Sequence, residues 1–206
     1  MTRLGMVIDL KSCIGCHACA VACKMNNNLP KEVWYNRVIT DGGEYLDTAR
    51  GTYPNDLYRE HYPVTCQHCT NAPCAAICPT GATSIDDEGV VVIDQETCIG
   101  CGSCISACPY DVRTLITSEP EYVVDFALGD WDAPSHKVNV VEKCTFCSNR
   151  RARGEVPACM DLCLGRARFW GDLDDPESEV SKLLASREYE RLSESEGTEP
   201  NCYYLK

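Results

Sequence analysis

Residues 98–108 read CIGCGSCISAC, a C-x2-C-x2-C-x3-C run that places Cys98, Cys101, Cys104 and Cys108 on one short stretch of chain. The same run recurs without deviation at Cys13, Cys16, Cys19 and Cys23. Two looser copies follow the same rule: Cys66, Cys69, Cys74, Cys78 and Cys144, Cys147, Cys159, Cys163 each open on C-x2-C and close on C-x3-C. This is the spacing of thiolate ligands to [4Fe-4S] clusters, and four quartets supply ligands for four of them. Of the 17 cysteines only Cys202 stands outside a quartet, and it reads as a spare thiol.

Disulfides and zinc explain the pattern less well. Cysteines three apart on a loop converge on one centre, and an odd thiol would remain after pairing. A four-thiolate zinc site uses two separated C-x2-C pairs and has no use for a third and fourth cysteine at x2 and x3.

The 206-residue chain has a formal charge of -12 and a pI near 4.7, which argues against nucleic acid, whose phosphates require a basic stripe. The first ten residues hold one arginine and no apolar run of signal-peptide length. The longest later apolar stretches, 90–93 and 138–141, are far too short to span a bilayer. No direct membrane insertion is therefore expected.

Working outward from the quartets, Thr83–Ile85 and Val90–Ile93 read as strands around the turn Asp86-Asp87-Glu88-Gly89. The span 66–109 is thus a two-cluster module of Cys-rich loop, short helix, hairpin, Cys-rich loop and short helix. The other module is split, 1–23 plus 138–175, with Gly5–Asp9 a strand entering its first quartet and Arg166–Trp170 a strand leaving its last. The expected fold class is α+β: two nested modules of the bacterial ferredoxin type with irregular insertions at 24–65 and 110–137.

The first insertion carries Trp34, Tyr35, Tyr45, Tyr53, Tyr58 and Tyr62, the second Phe126 and Trp131. Both read as covers over the clusters or as docking surfaces. In 176–206, Asp175-Pro176 starts a helix with Val180, Leu183, Leu184 and Leu192 on its apolar face. Ser193–Asn201 reads as a loose polar segment and Cys202–Leu205 as a final strand. His17, His68, Lys24 and Lys143 adjoin cysteines, where a donor or positive charge raises a cluster's potential; the plainer reading of each is a solvated side chain. Arg150, Arg151 and Arg153 read as a helix face. No Ser/His/Asp set, P-loop or G-x-G-x-x-G accompanies the quartets, so no catalytic residue is expected.

The stretches LGMVIDLKSCIGCHACAVAC, CQHCTNAPCAAICPTGA, GVVVIDQETCIGCGSCISACPY, EKCTFCSNRRARGEVPACMDLC and WGDLDDPESEV together resemble the four-cluster iron-sulfur subunits of the DMSO reductase family of molybdopterin oxidoreductases. The resemblance implies a swap of fourth cysteines. Cys13, Cys16, Cys19 and Cys163 would hold cluster one; Cys23, Cys144, Cys147 and Cys159 cluster two; Cys66, Cys69, Cys74 and Cys108 cluster three; Cys78, Cys98, Cys101 and Cys104 cluster four. Some relatives replace one cysteine of the third quartet; Cys101 is present here, which implies four [4Fe-4S] clusters. Leu164 and Lys24 stand where proline often follows the last cysteine.

The function so implied is electron transfer between a large molybdopterin subunit, with molybdenum or tungsten, and an external donor or acceptor, the cluster-one end facing the large subunit. A membrane anchor or another redox partner is left open, as are the substrate and the side of the membrane: cytoplasmic, or exported with a signal-bearing catalytic subunit. A free-standing polyferredoxin is the alternative from another class, and membership of a hydrogenase-type complex is a third reading.

Overall fold

In the computed structural model, which describes residues 2–43 and 48–206, the apolar run Leu4–Asp9 forms strand β1 and is buried at every position. Neighbouring residues of a strand point to opposite faces, and both faces of β1 are covered. Met6 and Ile8 join the core that contains the cysteines, while Val7 packs with Val180, Tyr203 and Leu205 on the other side. Gly5 permits this close packing, since a Cβ there would lie 2.4 Å from Leu173 and 2.6 Å from the Asn201 carbonyl.

The remaining elements are α1 (Ala18–Asn26), β2 (Asn36–Thr40), β3 (His61–Thr65), α2 (Pro73–Ala76), β4 (Thr83–Ile85), β5 (Val91–Ile93), α3 (Ser103–Ser106), β6 (Thr114–Leu115), β7 (Val141–Glu142), α4 (Ser148–Ala152), α5 (Ala158–Asp161), β8 (Arg168–Asp172), α6 (Glu179–Ser186), β9 (Tyr189–Glu190) and β10 (Cys202–Leu205). This is an α+β structure. Its largest sheet has the order β8-β1-β10-β9, with β1 antiparallel to β8 and parallel to β10. The hairpin expected at 83–93 is present as β4 and β5, antiparallel, with Thr83 opposite Ile93. Helix α1 packs on α5, and α2 on α3. No helix among the described residues is long and apolar enough to cross a membrane.

Three expectations change. The insertion at 24–65 is not irregular throughout: β2 and β3 pair antiparallel from Asn36 opposite Thr65 to Thr40 opposite His61. Tyr45, one of its aromatic residues, lies outside the described residues. In the second insertion, β6 pairs with β7 across the intervening loop. The C-terminal helix begins at Glu179, because Asp175 folds into a turn that accepts the Glu177 amide and Ser178 caps the helix through the Ser181 amide at 3.1 Å. Leu192 lies beyond that helix and packs against the main core.

The polar segment before β10 is also better anchored than its composition suggests. The amides of Thr70 and Asn71 donate to the carbonyls of Glu199 and Thr198, and the Asn201 amide donates to the Gln67 carbonyl at 2.9 Å. Asn201 Nδ2 donates to the His68 carbonyl at 2.7 Å. Residues 198–201 therefore strap the loop of the second quartet.

Candidate metal centres

Each quartet is shaped by a loop that runs into a short helix. The third cysteine, Cys19, Cys74, Cys104 or Cys159, lies on α1, α2, α3 or α5, and the fourth follows four residues later. Four residues advance a helix by about 6 Å, enough to carry the last thiol away from its first three neighbours. One cavity of about 340 Å³ is lined by Cys13, Cys16, Cys19 and Cys163. A second, of about 280 Å³, is lined by Cys66, Cys69, Cys74 and Cys108, and a third, of about 290 Å³, by Cys78, Cys98, Cys101 and Cys104. Cys23 lies within electrostatic reach of Cys144, Cys147 and Cys159, all four buried. The structure thus brings the sixteen cysteines together in four groups, each combining three thiols of one quartet with the last thiol of another.

The groups adjoin one another in succession. Cys19 neighbours Cys159, Cys66 neighbours Cys144, and Arg113 lies near both Cys74 and Cys104. At the two ends Cys16 and Cys101 are exposed; in the middle every cysteine but Cys108 is buried.

Donors point at the sulfurs. The amides of Ala167, Thr83 and Phe146 lie 3.3, 3.4 and 3.4 Å from the Sγ atoms of Cys163, Cys78 and Cys144, and Asn27 Nδ2 lies 3.6 Å from Cys23. Burial pushes the thiols of Cys69 and Cys144 up to about 11 and that of Cys147 to about 12. At Cys78 the slight burial is outweighed by bonds from Thr83 and Thr80, which bring the thiol down to about 7. The Ser103 hydroxyl lowers Cys101 similarly. Loading a metal into the interior groups must therefore displace protons.

Two features of the protein fit anionic clusters here. His68 is fully buried, and its Nδ1 accepts the Val91 amide at 3.2 Å, so Nε2 carries the proton; that N–H has no partner among the described residues. A buried donor without an acceptor is costly, and His68 stands between Cys66 and Cys69, where a bound anionic cluster would offset that cost. Arg113 and Arg168 are 5% and 3% exposed, and among the described residues neither pairs with a carboxylate. Arg113 Nη2 lies 2.9 Å from Cys74 Sγ, and Arg168 Nη1 lies 3.5 Å from Cys159 Sγ. Burial opposes both charges; the surrounding thiolates outweigh it and hold both guanidiniums above the ordinary arginine range.

Sequence reasoning passed over these arginines, although each stands five residues after a fourth cysteine, Cys108 or Cys163. The basic residues it singled out behave differently. Lys24 donates to the carbonyls of Pro30, Lys31 and Val33, closing the turn after α1. His17 is half-buried beside the first cavity with φ 59°. Lys143 is buried, not solvated, and donates to the carbonyls of Val91 and Cys144. Arg150, Arg151 and Arg153 are neutralised by Asp161, by Asp86 and Glu88, and by Asp130, Asp132 and Glu155. Cys202 is fully buried, lines none of the three cavities, and contacts the Cys66 carbonyl at 3.6 Å.

Comparison with known proteins agrees with this chemistry. Residues 57–120 and 131–173 match a family model described as a 4Fe-4S dicluster domain, and residues 10–26 match a 4Fe-4S binding domain. The chain is 44% identical to a putative dimethyl sulfoxide reductase iron-sulfur subunit of Halobacterium salinarum, over 100% of this chain and 79% of that protein. It is 41% identical to a selenate reductase subunit of Mesobacillus selenatarsenatis, over 97% and 70%. It is 35% identical to the arsenate respiratory reductase iron-sulfur subunit of a Shewanella species, over 99% and 96%. Relatives of this kind are electron-transfer subunits of reductase complexes, which decides against the free-standing polyferredoxin. The chain belongs to the ferredoxin-like iron-sulfur subunits of the molybdopterin oxidoreductase family: it is a non-catalytic electron-transfer subunit with four [4Fe-4S] clusters.

Proposed function

We propose that the sixteen quartet cysteines are the cluster ligands in the swapped sets: Cys13, Cys16, Cys19, Cys163; Cys23, Cys144, Cys147, Cys159; Cys66, Cys69, Cys74, Cys108; and Cys78, Cys98, Cys101, Cys104. The observation that carries this is the lining of the three cavities, where Cys163, Cys108 and Cys78 each sit with the triplet of another quartet. The α1–α5 and α2–α3 packing supports the nested organisation, with 1–23 and 138–175 forming one ferredoxin-like module around another at 66–109. Insertions at 24–65 and 110–137 and the segment 176–206 complete the chain.

When bound, such clusters supply one-electron transfer. The protein's part is to keep the two middle groups dry and to leave the outer ones, with Cys16 and Cys101, at the surface. Relatives named as subunits of reductases support a large catalytic subunit as the partner, and the family resemblance places that subunit, with its molybdopterin and molybdenum or tungsten, at the Cys16 end. A second redox partner, membrane-anchored or otherwise, meets the Cys101 end.

Anaerobic purification of the native complex tests this. The expected result is a co-eluting large chain with molybdenum or tungsten, and about sixteen iron atoms and sixteen sulfides per copy of this chain. Zinc, iron near half that value, or a chain that purifies alone and turns over a substrate would overturn it. The ligand sets are tested separately by EPR: Cys163→Ser is expected to perturb the same signal as Cys13→Ser, and a signal shared with Cys147→Ser instead would disprove the swap.

A further inference from the structure

Arg113 and Arg168 share more than burial. Each stands five residues after the last cysteine of the second quartet in its module, and each lines a cavity, Arg168 with Cys13, Cys16, Cys19 and Cys163, Arg113 with Cys66, Cys69, Cys74 and Cys108. Each also reaches the neighbouring group. Arg113 contacts Cys74 at 2.9 Å, shares a cavity with Cys66 and Cys108, and lies within electrostatic range of Cys104. Arg168 interacts with Cys19 and Cys159, one from each adjacent group. Their orientation is held by neutral partners: Thr83 Oγ1 at 3.4 Å for Arg113, and Met6 Sδ at 3.1 Å with Asn36 Oδ1 at 3.2 Å for Arg168.

We propose that Arg113 and Arg168 are potential-setting residues, each holding a fixed positive charge between the two cluster sites of one module and favouring the reduced state of both. The inference rests on the ligand sets proposed above. Guanidinium does not lose its proton in a protein, so the bias is independent of pH. An added electron makes a cluster more negative, and in a poorly screened interior a cation at hydrogen-bond distance stabilises that state most. With no carboxylate paired to either among the described residues, the charge of each arginine remains available to the clusters. The other buried cation beside the ligands, Lys143, is engaged by backbone carbonyls.

The test is an EPR-monitored redox titration of the full chain, prepared anaerobically, as wild type, R113Q, R113K, R168Q and R168K. R113Q is expected to make reduction of clusters three and four at least tenfold less favourable, about 59 mV for one electron, while clusters one and two hold their midpoints. R168Q should give the mirror pattern, and the lysine variants should recover part of each shift. Midpoints unmoved in fully loaded glutamine variants, or shifted equally by glutamine and lysine, would overturn the assignment. Pulsed EPR on wild type carrying arginine labelled with ¹⁵N in the guanidinium supplies a readout that needs no variant to fold. Coupling of ¹⁵N to the reduced clusters is expected, and its absence also overturns the proposal. A wild-type iron content far below about sixteen would instead defeat the ligand sets themselves, and this inference with them.

Discussion

The outer and inner cysteine groups use the same spacing and solve the same backbone problem differently. Between the first two cysteines of the outer quartets stand Ile14-Gly15 and Ile99-Gly100, with the glycines at φ 65° and 67°. The matching positions of the inner quartets hold His68 and Phe146, also at positive φ, 44° and 50°. A left-handed conformation costs a side-chain-bearing residue about 1 kcal/mol or more, and at these two positions the interior offsets it by packing. There the two rings stack at 3.8 Å between centroids, both buried. At the ends the glycines keep the loop thin, and Ile14 and Ile99 are each 63% exposed. Thin apolar ends suit contact with a partner; filled aromatic loops suit exclusion of water.

The contrast can be broken most forcefully at the ligands. Cys147→Ser, in the wholly buried group, is expected to cost the protein more than half its iron and its cooperative thermal transition, because the lost centre lies in the buried interior. Cys101→Ser, at the exposed end, should retain at least about twelve iron atoms per chain and melt cooperatively. Equal iron loss in the two variants, read by metal analysis, would erase the distinction between inner and outer groups.

The loop residues sharpen it at the next level. Phe146→Ala removes a buried ring and half of the His68 stack, and should destabilise the loaded protein by about 3–5 kcal/mol. Ile99→Ala removes a largely exposed side chain and should stay within about 0.5 kcal/mol. Chemical denaturation of both variants under anaerobic conditions measures the pair.

The smallest expected effect lies in the polar wall behind the inner group of Cys23 and Cys144. Glu142 accepts a bond from Tyr35 at 2.9 Å and pairs with His136 at 2.7 Å, while His136 Nε2 reaches the Asn27 carbonyl at 3.0 Å. Burial disfavours the charge on His136, and the Glu142 carboxylate outweighs it, so the imidazole titrates above its ordinary value of 6.5. The stabilisation is therefore complete below that value and is lost as pH rises through the raised one. The melting temperature should fall as pH rises from 6.5 through the raised value, and His136→Gln should flatten that slope.

The quartets, the hairpin and the last strand were readable because each depends on local spacing or alternation, and the structure keeps those residues where the pattern puts them. The ribbon of β2 and β3 was hidden by Pro63 and by buried polar residues whose partners come from tertiary contacts: the Thr65 hydroxyl donates to the Tyr35 carbonyl at 2.9 Å and Asn36 Oδ1 accepts from Arg168 at 3.2 Å. Arg113 and Arg168 were passed over because nothing near them in sequence marks an arginine as buried, arginine being mostly exposed. Their countercharge is assembled from cysteines distant in the chain. The strap at 198–201 looked loose for a similar reason, its polar groups being paired with the backbone of residues 67–71.

The swapped grouping also sets an order of assembly. Every cysteine lining the two cavities that include Cys74 and Cys104 lies between residues 66 and 108, so both sets of thiols are complete early in synthesis, before the strap at 198–201 that later holds the second quartet's loop. The cavity of Cys13, Cys16 and Cys19 must wait for Cys163, and the sheet edge of β1 must wait longer, for the strand at Cys202–Leu205 that lies beside it. The N-terminal quartet is made first and finished late. The strand at Cys202–Leu205 acts as a latch on the first quartet, laid beside β1 only after the fourth thiol, Cys163, has been made.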